Sequence, residues 1–344
     1  MNLDNARILI IRLSAIGDVI QTLPAIHALR KSFPNSHLTW ILEEPSFSLL
    51  QGHPEVDEVI IFPKKELGKT LKDKGIIAAL CYLKEFANQL KSRHFDLVID
   101  FQNLLKSGVI SYLSGAREKV GFGPGREGNR FFLTKVFPAP TSIAHYVDQE
   151  LELVHLLGAD TEEVSFVLPD YANEEKTIDA FLAENSITGK YFCIATGTTW
   201  PSKCWTPEGM AKLADRLQDY GKVIMIGSGQ DSIIAEQTIN KMSTIPIKAI
   251  GRFNLRELAV LIRRAAVFFG PDTGPMHLAV AVNTKTVVWM GPTDPNLKGP
   301  YPGRGFVVSL NLPCHPCRNK GCQPNRCLTD LPFEMVWEAV KKYL

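Results

Sequence analysis

Two doubly wound α/β halves, Rossmann-like and facing each other across a cleft, are the fold that this sequence predicts. Three observations carry it. Apolar runs of strand length alternate with amphipathic segments of helix length along most of the chain. The alternation falls into two series that meet at residues 169–175, where a linker is expected. The length of 344 residues exceeds one typical domain of roughly 100–200. Alternation of this kind means a parallel sheet with helices on both faces.

The elements follow in order. Residues 6–11 read as a buried strand by their continuous Ile/Leu content. Residues 14–32 read as a turn and a helix, with Leu23, Ile26, Ala28 and Leu29 on one face. Strands are expected at 37–42, at 56–62 after the turn signal His53-Pro54, and at 96–100, with a helix at 76–91. The pattern weakens at 122–142, where Gly and Pro crowd together, and a helix at 143–157 ends at Gly158. The second series predicts strands at 191–195, 223–226, 266–269 and 286–290. Its helices are expected at 207–220, 232–242, 255–264 and 276–282. The division is therefore 1–170, 171–330, and a C-terminal helix at 331–344 that is expected to pack back on the first half.

Composition narrows the class. Hydrophobic residues make up 45% and charged residues 22%, which excludes a disordered, collagen-like or coiled-coil chain. A net charge of +2 is too balanced for a protein that coats nucleic acid. No apolar run reaches the roughly 18 residues of a spanning helix, and the run Ile8-Leu9-Ile10-Ile11 is too short for a secretory signal. A cytoplasmic protein is the expectation.

Three constellations carry chemistry. The first is Arg12-Leu13-Ser14-Ala15-Ile16-Gly17-Asp18, directly after the first strand. A carboxylate at a helix start feels the positive end of the macrodipole, so Asp18 is placed to accept a proton from an entering hydroxyl. An ordinary helix-start carboxylate is the other reading. The second is Gly270-Pro271-Asp272-Thr273-Gly274-Pro275-Met276-His277, a strand running into a helix. The amides of Thr273 and Gly274, the Thr273 hydroxyl and His277 form an anion site there. A capped helix start with Asp272 or Thr273 as N-cap, beside a structural histidine, is the alternative. The third is Thr196-Gly197-Thr198-Thr199-Trp200-Pro201-Ser202-Lys203. The hydroxyls of Thr196 and Thr198 suit a diphosphate, and Lys203 supplies a point charge to a leaving group. A solvated loop lysine is the alternative. Gly227-Ser228-Gly229 is a short turn against which a nucleoside could pack. Gly-x-Gly-x-x-Gly after the first strand, a Walker lysine motif, an Asp-x-Asp clamp and a Gly-x-Ser-x-Gly elbow are all absent.

Together these residues resemble the ADP-heptose:lipopolysaccharide heptosyltransferases, a family of inverting glycosyltransferases. The most specific string is Gly270 to Ala279, continued by Gly291-Pro292-Thr293-Asp294-Pro295 and Gly299-Pro300-Tyr301. Arg12 to Pro24 is a second match and His145-Tyr146-Val147-Asp148 a third. The resemblance implies a GT-B fold, with the acceptor on the first half and the ADP-heptose donor on the second. It implies Asp18 as general base and Lys203, Asp272, Thr273, Gly274 and His277 as donor contacts. Gln230 stands where some members carry a glutamate. No cofactor is implied for catalysis. The implied acceptor is a lipopolysaccharide precursor, Kdo-lipid A or a heptosylated core, met by peripheral contact with the cytoplasmic face of the inner membrane.

Basic residues on the first half suit such an acceptor. Lys64, Lys65, Lys69, Lys72 and Lys74 are expected in one loop, and Arg117, Lys119, Arg126, Arg130 and Lys135 surround the Gly/Pro-rich segment. Solvated charge runs are the alternative. Cys314, Cys317, Cys322 and Cys327 match a metal site in number but not in spacing. A structural zinc, an iron–sulfur cluster, and reduced or paired thiols all remain open, with His315 as a further candidate ligand. Two other functions stay in play, a related glycosyltransferase using another nucleotide sugar and a non-catalytic nucleotide- or metal-binding regulator.

Overall fold

The computed structural model describes residues 3–123, 125, 127–143 and 145–344. The chain divides into two compact units, Met1–Asp170 and Tyr171–Leu344. In the first, the order is β1 (Arg7–Ile11), α1 (Ile16–Ser32), β2 (His37–Glu43), α2 (Glu44–Leu50), β3 (Glu58–Phe62), α3 (Lys64–Lys91), β4 (Leu97–Asp100), α4 (Leu105–Leu113), β5 (Glu118–Gly123), β6 (Lys135–Pro138) and α5 (Tyr146–His155). The six strands lie in the order β3-β2-β1-β4-β5-β6, and every neighbouring pair is parallel. Ile8 to Ile11 are fully buried, as a central strand covered on both faces requires. Ile10 lies between Trp40 and Ile99.

The second unit contains α6 (Ala172–Glu184), β7 (Tyr191–Ala195), α7 (Pro207–Leu217), β8 (Lys222–Gly227), α8 (Ser232–Ile239), β9 (Ile247–Ile250), α9 (Leu255–Arg264), β10 (Val267–Pro271), α10 (Gly274–Ala281), β11 (Thr286–Trp289), α11 (Pro295–Lys298), β12 (Phe306–Val308), α12 (Arg326–Thr329) and α13 (Phe333–Lys341). Its sheet runs β12-β11-β10-β7-β8-β9, again with parallel neighbours. Both sheets are wound alike. Chain order reverses between β1 and β4 in one and between β7 and β10 in the other. In doubly wound sheets the crevice outside the carboxyl ends at such a reversal is where ligands bind.

Several expectations need correction. The lysines expected in one loop lie instead on the first turns of α3, because Lys, Glu and Leu are strong helix formers. Gly75 interrupts that helix with φ +82°, a left-handed conformation that costs glycine nothing. The expected linker at 169–175 already contains the start of α6. The C-terminal helix, expected on the first half, has its buried face in the other core. Its Val336, Ala339 and Val340 are buried in the second unit's own core with Trp205, Met210 and Val308. The weak pattern at 122–142 has a physical cause. It holds the end of β5 and β6, a four-residue edge strand with only Phe137 buried, and a short edge strand carries little apolar signal.

Candidate functional site

In the first unit, Asp18 is the third residue of α1. Its Oδ2 accepts from the Ala15 amide at 3.1 Å, so the carboxylate closes the first turn of the helix. The loop leading to it is tied to the neighbouring strand end. Gln102 Oε1, just beyond β4, accepts from the Leu13 amide at 2.9 Å and the Ser14 amide at 3.1 Å. Arg12 anchors the same turn from below. Its Nε donates to Thr22 Oγ1 at 3.2 Å, and that hydroxyl donates to the Asp18 carbonyl at 2.9 Å. Burial lowers the Arg12 pKa from its ordinary value, while the charges of Asp18, Tyr146 and Asp100 oppose that shift.

The guanidinium is ion-paired with Glu150 of α5, and both residues are buried. Removing one partner of a buried pair leaves an uncompensated charge. Arg12→Met is therefore expected to cost about 3–5 kcal/mol, lowering Tm by roughly 10 °C. Arg12→Met/Glu150→Met should recover most of that loss. Thermal melts of the two variants check both statements.

The carboxyl edge of this sheet carries further charge. Glu43 ends β2 and accepts from Lys106 Nζ at 2.8 Å and Lys64 Nζ at 3.2 Å. Burial opposes its ionisation, but those two cations hold its carboxyl below the ordinary value. Lys65 pairs with Glu44 at 2.5 Å. Asp100, at the end of β4, is fully buried and pushed up to about 6 by that burial, against amide donors from Asn103 and Gln102.

The second unit builds a cradle around Asp272, at the end of β10. Lys203 Nζ donates to Asp272 Oδ2 at 2.6 Å and to its carbonyl at 3.2 Å. Thr293 Oγ1 donates to the same Oδ2 at 2.8 Å, and His277 Nε2 approaches Oδ1 at 3.7 Å. Burial resists ionisation of this carboxyl. Contact with His277 and the charge of Lys203 outweigh it and hold the pKa well below the ordinary carboxylate range. Lys203 also lies over the Trp200 ring at 4.5 Å, with Lys320 against the same ring at 4.7 Å.

Thr273 is the N-cap of α10 in extended backbone, and its side chain makes no capping bond. Its Oγ1, like Ser202 Oγ beside Lys203, is buried with no hydrogen-bond partner among the described residues. Buried hydroxyls are normally satisfied, so two orphans flanking one cationic cradle mark a place for a hydrogen-bonding ligand. Pro275 brings no amide, which leaves the first-turn donors to Thr273 and Gly274.

The remaining predicted donor residues follow β7 and β8, on the same carboxyl edge of the sheet. Thr196 is buried at the end of β7, and its amide donates to the Ile226 carbonyl at 3.1 Å. Thr198 Oγ1 accepts from the Trp200 amide at 3.4 Å. Gln230 is exposed on the turn after β8, beside Asp231, whose Oδ2 holds the Ser228 amide at 2.7 Å. A methyl group at Gly197 would meet Asp231 Oδ1 at 1.9 Å, so only glycine fits there.

The predicted acceptor residues divide. Lys64 and Lys65 follow β3, and Arg130 follows β5, lying 5.0 Å from the Phe131 ring. These share the carboxyl edge with Asp18. Arg117 does not. It precedes β5, lining a pocket with Asp4, Asp96 and Glu118, and in a parallel sheet that is the opposite edge. Arg126 lies outside the described residues. Sequence reasoning missed Lys106, Gln102 and Trp200. Lys106 and Gln102 had a usable signal, since they follow a strand at the reversal point.

The four cysteines are free thiols. Cys314 and Cys317 are exposed, Cys322 is half-buried and Cys327 is buried. Burial raises the Cys327 thiol pKa, and the neighbouring Cys317, Cys322 and Cys314 raise it further, so the four gather around one place; among the described residues no three His, Cys, Asp or Glu side chains are positioned to hold a metal ion. Their segment packs instead on the cradle. His315 Nε2 lies 3.1 Å from the Thr293 carbonyl, and Asn325 Nδ2 donates to the Ser202 and Cys204 carbonyls at 3.3 and 3.4 Å.

The sequence profile of glycosyltransferase family 9 (heptosyltransferase) matches residues 83–327, more than half of the chain. The chain belongs to that family. Among its family 9 relatives, lipopolysaccharide heptosyltransferase 1 of Pseudomonas aeruginosa is 29% identical, over 95% of this chain and 92% of the relative. The lipopolysaccharide core heptosyltransferase OpsX of Haemophilus influenzae is 26% identical, over 88% and 83%. Solved structures share the fold. A family 9 glycosyl transferase of Veillonella parvula superposes with TM-score 0.87 at 24% identity, covering 100% of this chain and 98% of the other. Escherichia coli heptosyltransferase WaaC with ADP gives 0.76 at 23%, covering 98% and 100%. The family 9 fold is GT-B, as the sequence resemblance implied, and the chain is a glycosyltransferase.

Proposed function

We propose that this family 9 enzyme moves heptose from ADP-heptose to the inner core of a lipopolysaccharide precursor, with inversion at the anomeric carbon. The observation that carries the reading is the Asp272 cradle, with its lysine, histidine, helix-start amides and two orphaned hydroxyls at the reversal point of the second sheet. That chemistry suits a nucleoside diphosphate. In the proposed step, Asp18 takes the proton of an acceptor hydroxyl as its oxygen bonds to the anomeric carbon. The bond from that carbon to the diphosphate oxygen breaks, and ADP departs with the electron pair. Lys203 and the Thr273 and Gly274 amides meet the charge that grows on the diphosphate.

Lys64, Lys65, Lys106 and Arg130 would engage the phosphates and acidic sugars of the acceptor, with Glu43 holding Lys64 and Lys106 in place. The acceptor being a lipid, the enzyme would work at the cytoplasmic face of the inner membrane by peripheral contact. No helix among the described residues is long and apolar enough to cross a membrane. No step uses a metal, and the cysteine segment takes no part in the chemistry.

A donor screen tests the reading. Purified protein is offered ADP-heptose, ADP-glucose, UDP-sugars and GDP-sugars with a deep-rough lipopolysaccharide acceptor, with and without EDTA. Transfer from ADP-heptose alone, unchanged by EDTA, is the expected result. Efficient transfer from a UDP- or GDP-sugar would point to the related glycosyltransferase, and binding without transfer to the regulator. Activity lost on chelation and restored by a divalent ion would overturn the metal-free scheme.

A further inference from the structure

Helix α3 has one face in the core and another that is exposed among the described residues. Ala79, Phe86, Ala87 and Leu90 are buried, and Phe86 packs edge-on against Phe62 with ring centroids 5.8 Å apart. On the outside, Leu71 is 50% exposed, Ile76 66%, Ile77 76% and Leu80 59%. Ile77, Leu80, Cys81 and Lys84 recur at one-turn spacing, so they share the outer face. Single exposed apolar residues are ordinary, but four large ones within ten positions, Leu71 before the Gly75 break and three after it, are not. The helix bends at Gly75 in the middle of this patch. Lysines ring it. Between 69 and 84 there are Lys69, Lys72, Lys74 and Lys84 against the single acid Asp73.

We propose that this outer face of α3 docks on an anionic phospholipid surface. Its apolar side chains would enter the acyl boundary while the lysines, on flexible stems, reach the headgroup phosphates. The charge pattern argues against a second copy of the chain as occupant. A twofold contact through this patch would set one lysine cluster against its own image. The inference rests on the reading that the acceptor is membrane-embedded, and it names the surface that brings the enzyme to it.

The test is co-sedimentation of the full chain with vesicles of phosphatidylethanolamine and phosphatidylglycerol, compared with phosphatidylcholine alone. The wild type is expected to bind the anionic vesicles and to lose them at high salt. Ile76→Ser/Ile77→Ser/Leu80→Ser should weaken binding by about tenfold or more. Lys72→Gln/Lys74→Gln should weaken it by roughly fivefold per lysine. All these positions are exposed, and unchanged melting would show that the variants fold. The serine variant should still transfer sugar to a deacylated, water-soluble acceptor. Failure of the wild type on that acceptor would count against the proposed reaction and leave vesicle binding as an independent result. Equal binding of wild type and serine variant, or indifference to lipid charge, overturns the surface. So does a concentration-dependent dimer in sedimentation that the serine changes abolish.

Discussion

Asp18→Asn is expected to lower transfer by about 10³-fold or more, within the range that general bases contribute, while ADP affinity stays within about twofold of wild type. The substitution is nearly isosteric. An amide oxygen can still accept from the Ala15 amide at the 3.1 Å contact that closes α1, so the helix start should survive. What disappears is the capacity to take a proton. The measurement is kcat alongside ADP binding by calorimetry and a thermal melt. Loss of kcat with binding and melting intact assigns the carboxylate to chemistry. Loss of melting temperature with residual kcat near wild type would return it to its role as a helix cap.

Lys203→Met is expected to cost about 10²–10³-fold in kcat. The methionine stem fills similar space over the Trp200 ring but brings no charge to a departing diphosphate. The same change strips Asp272 of its 2.6 Å partner and leaves a buried carboxylate with His277 and Thr293 only. A second, separable effect follows. Asp272 is held ionised by its surroundings, so its contribution to stability is present above the ordinary carboxylate pKa and lost only as pH falls towards its depressed value. With the lysine gone that depression shrinks, and stability should fall at less acidic pH than in the wild type. Acid melts of Lys203→Met against wild type measure this, and coincident curves would show that Lys203 does not govern the buried carboxylate.

Much of the fold was legible because the central strands of both sheets are unbroken apolar runs. Ile8 to Ile11 and Phe192 to Ala195 can hardly be read otherwise. Of the edge strands, β3 was expected at 56–62, but β6, β9 and β12 were not. β6 and β12 span four and three residues, too few for periodicity to register. α6 was hidden behind Pro169, since a proline draws attention to a break and away from the helix that follows it. Within the candidate site, residues that follow a strand in sequence were brought forward: Asp18, Lys203, Asp272 and His277. Those that reach it through the fold were not. Glu150 meets Arg12 from a helix more than a hundred positions away, and Trp200 matters only because Lys203 folds back over it. The lysines of residues 64–74 were found as charge but given the wrong backbone, since composition alone does not distinguish a solvated loop from a solvated helix.

The groups that converge on Asp272 arrive from three adjacent strand ends: Lys203 beyond β7, His277 beyond β10 and Thr293 beyond β11. Their meeting point therefore exists only while those strands keep lateral register. A slip or breathing motion of any one of them would scatter the cluster long before the molecule as a whole came apart; under the proposed role of the cradle, turnover would then double as a gauge of order at the centre of the second sheet.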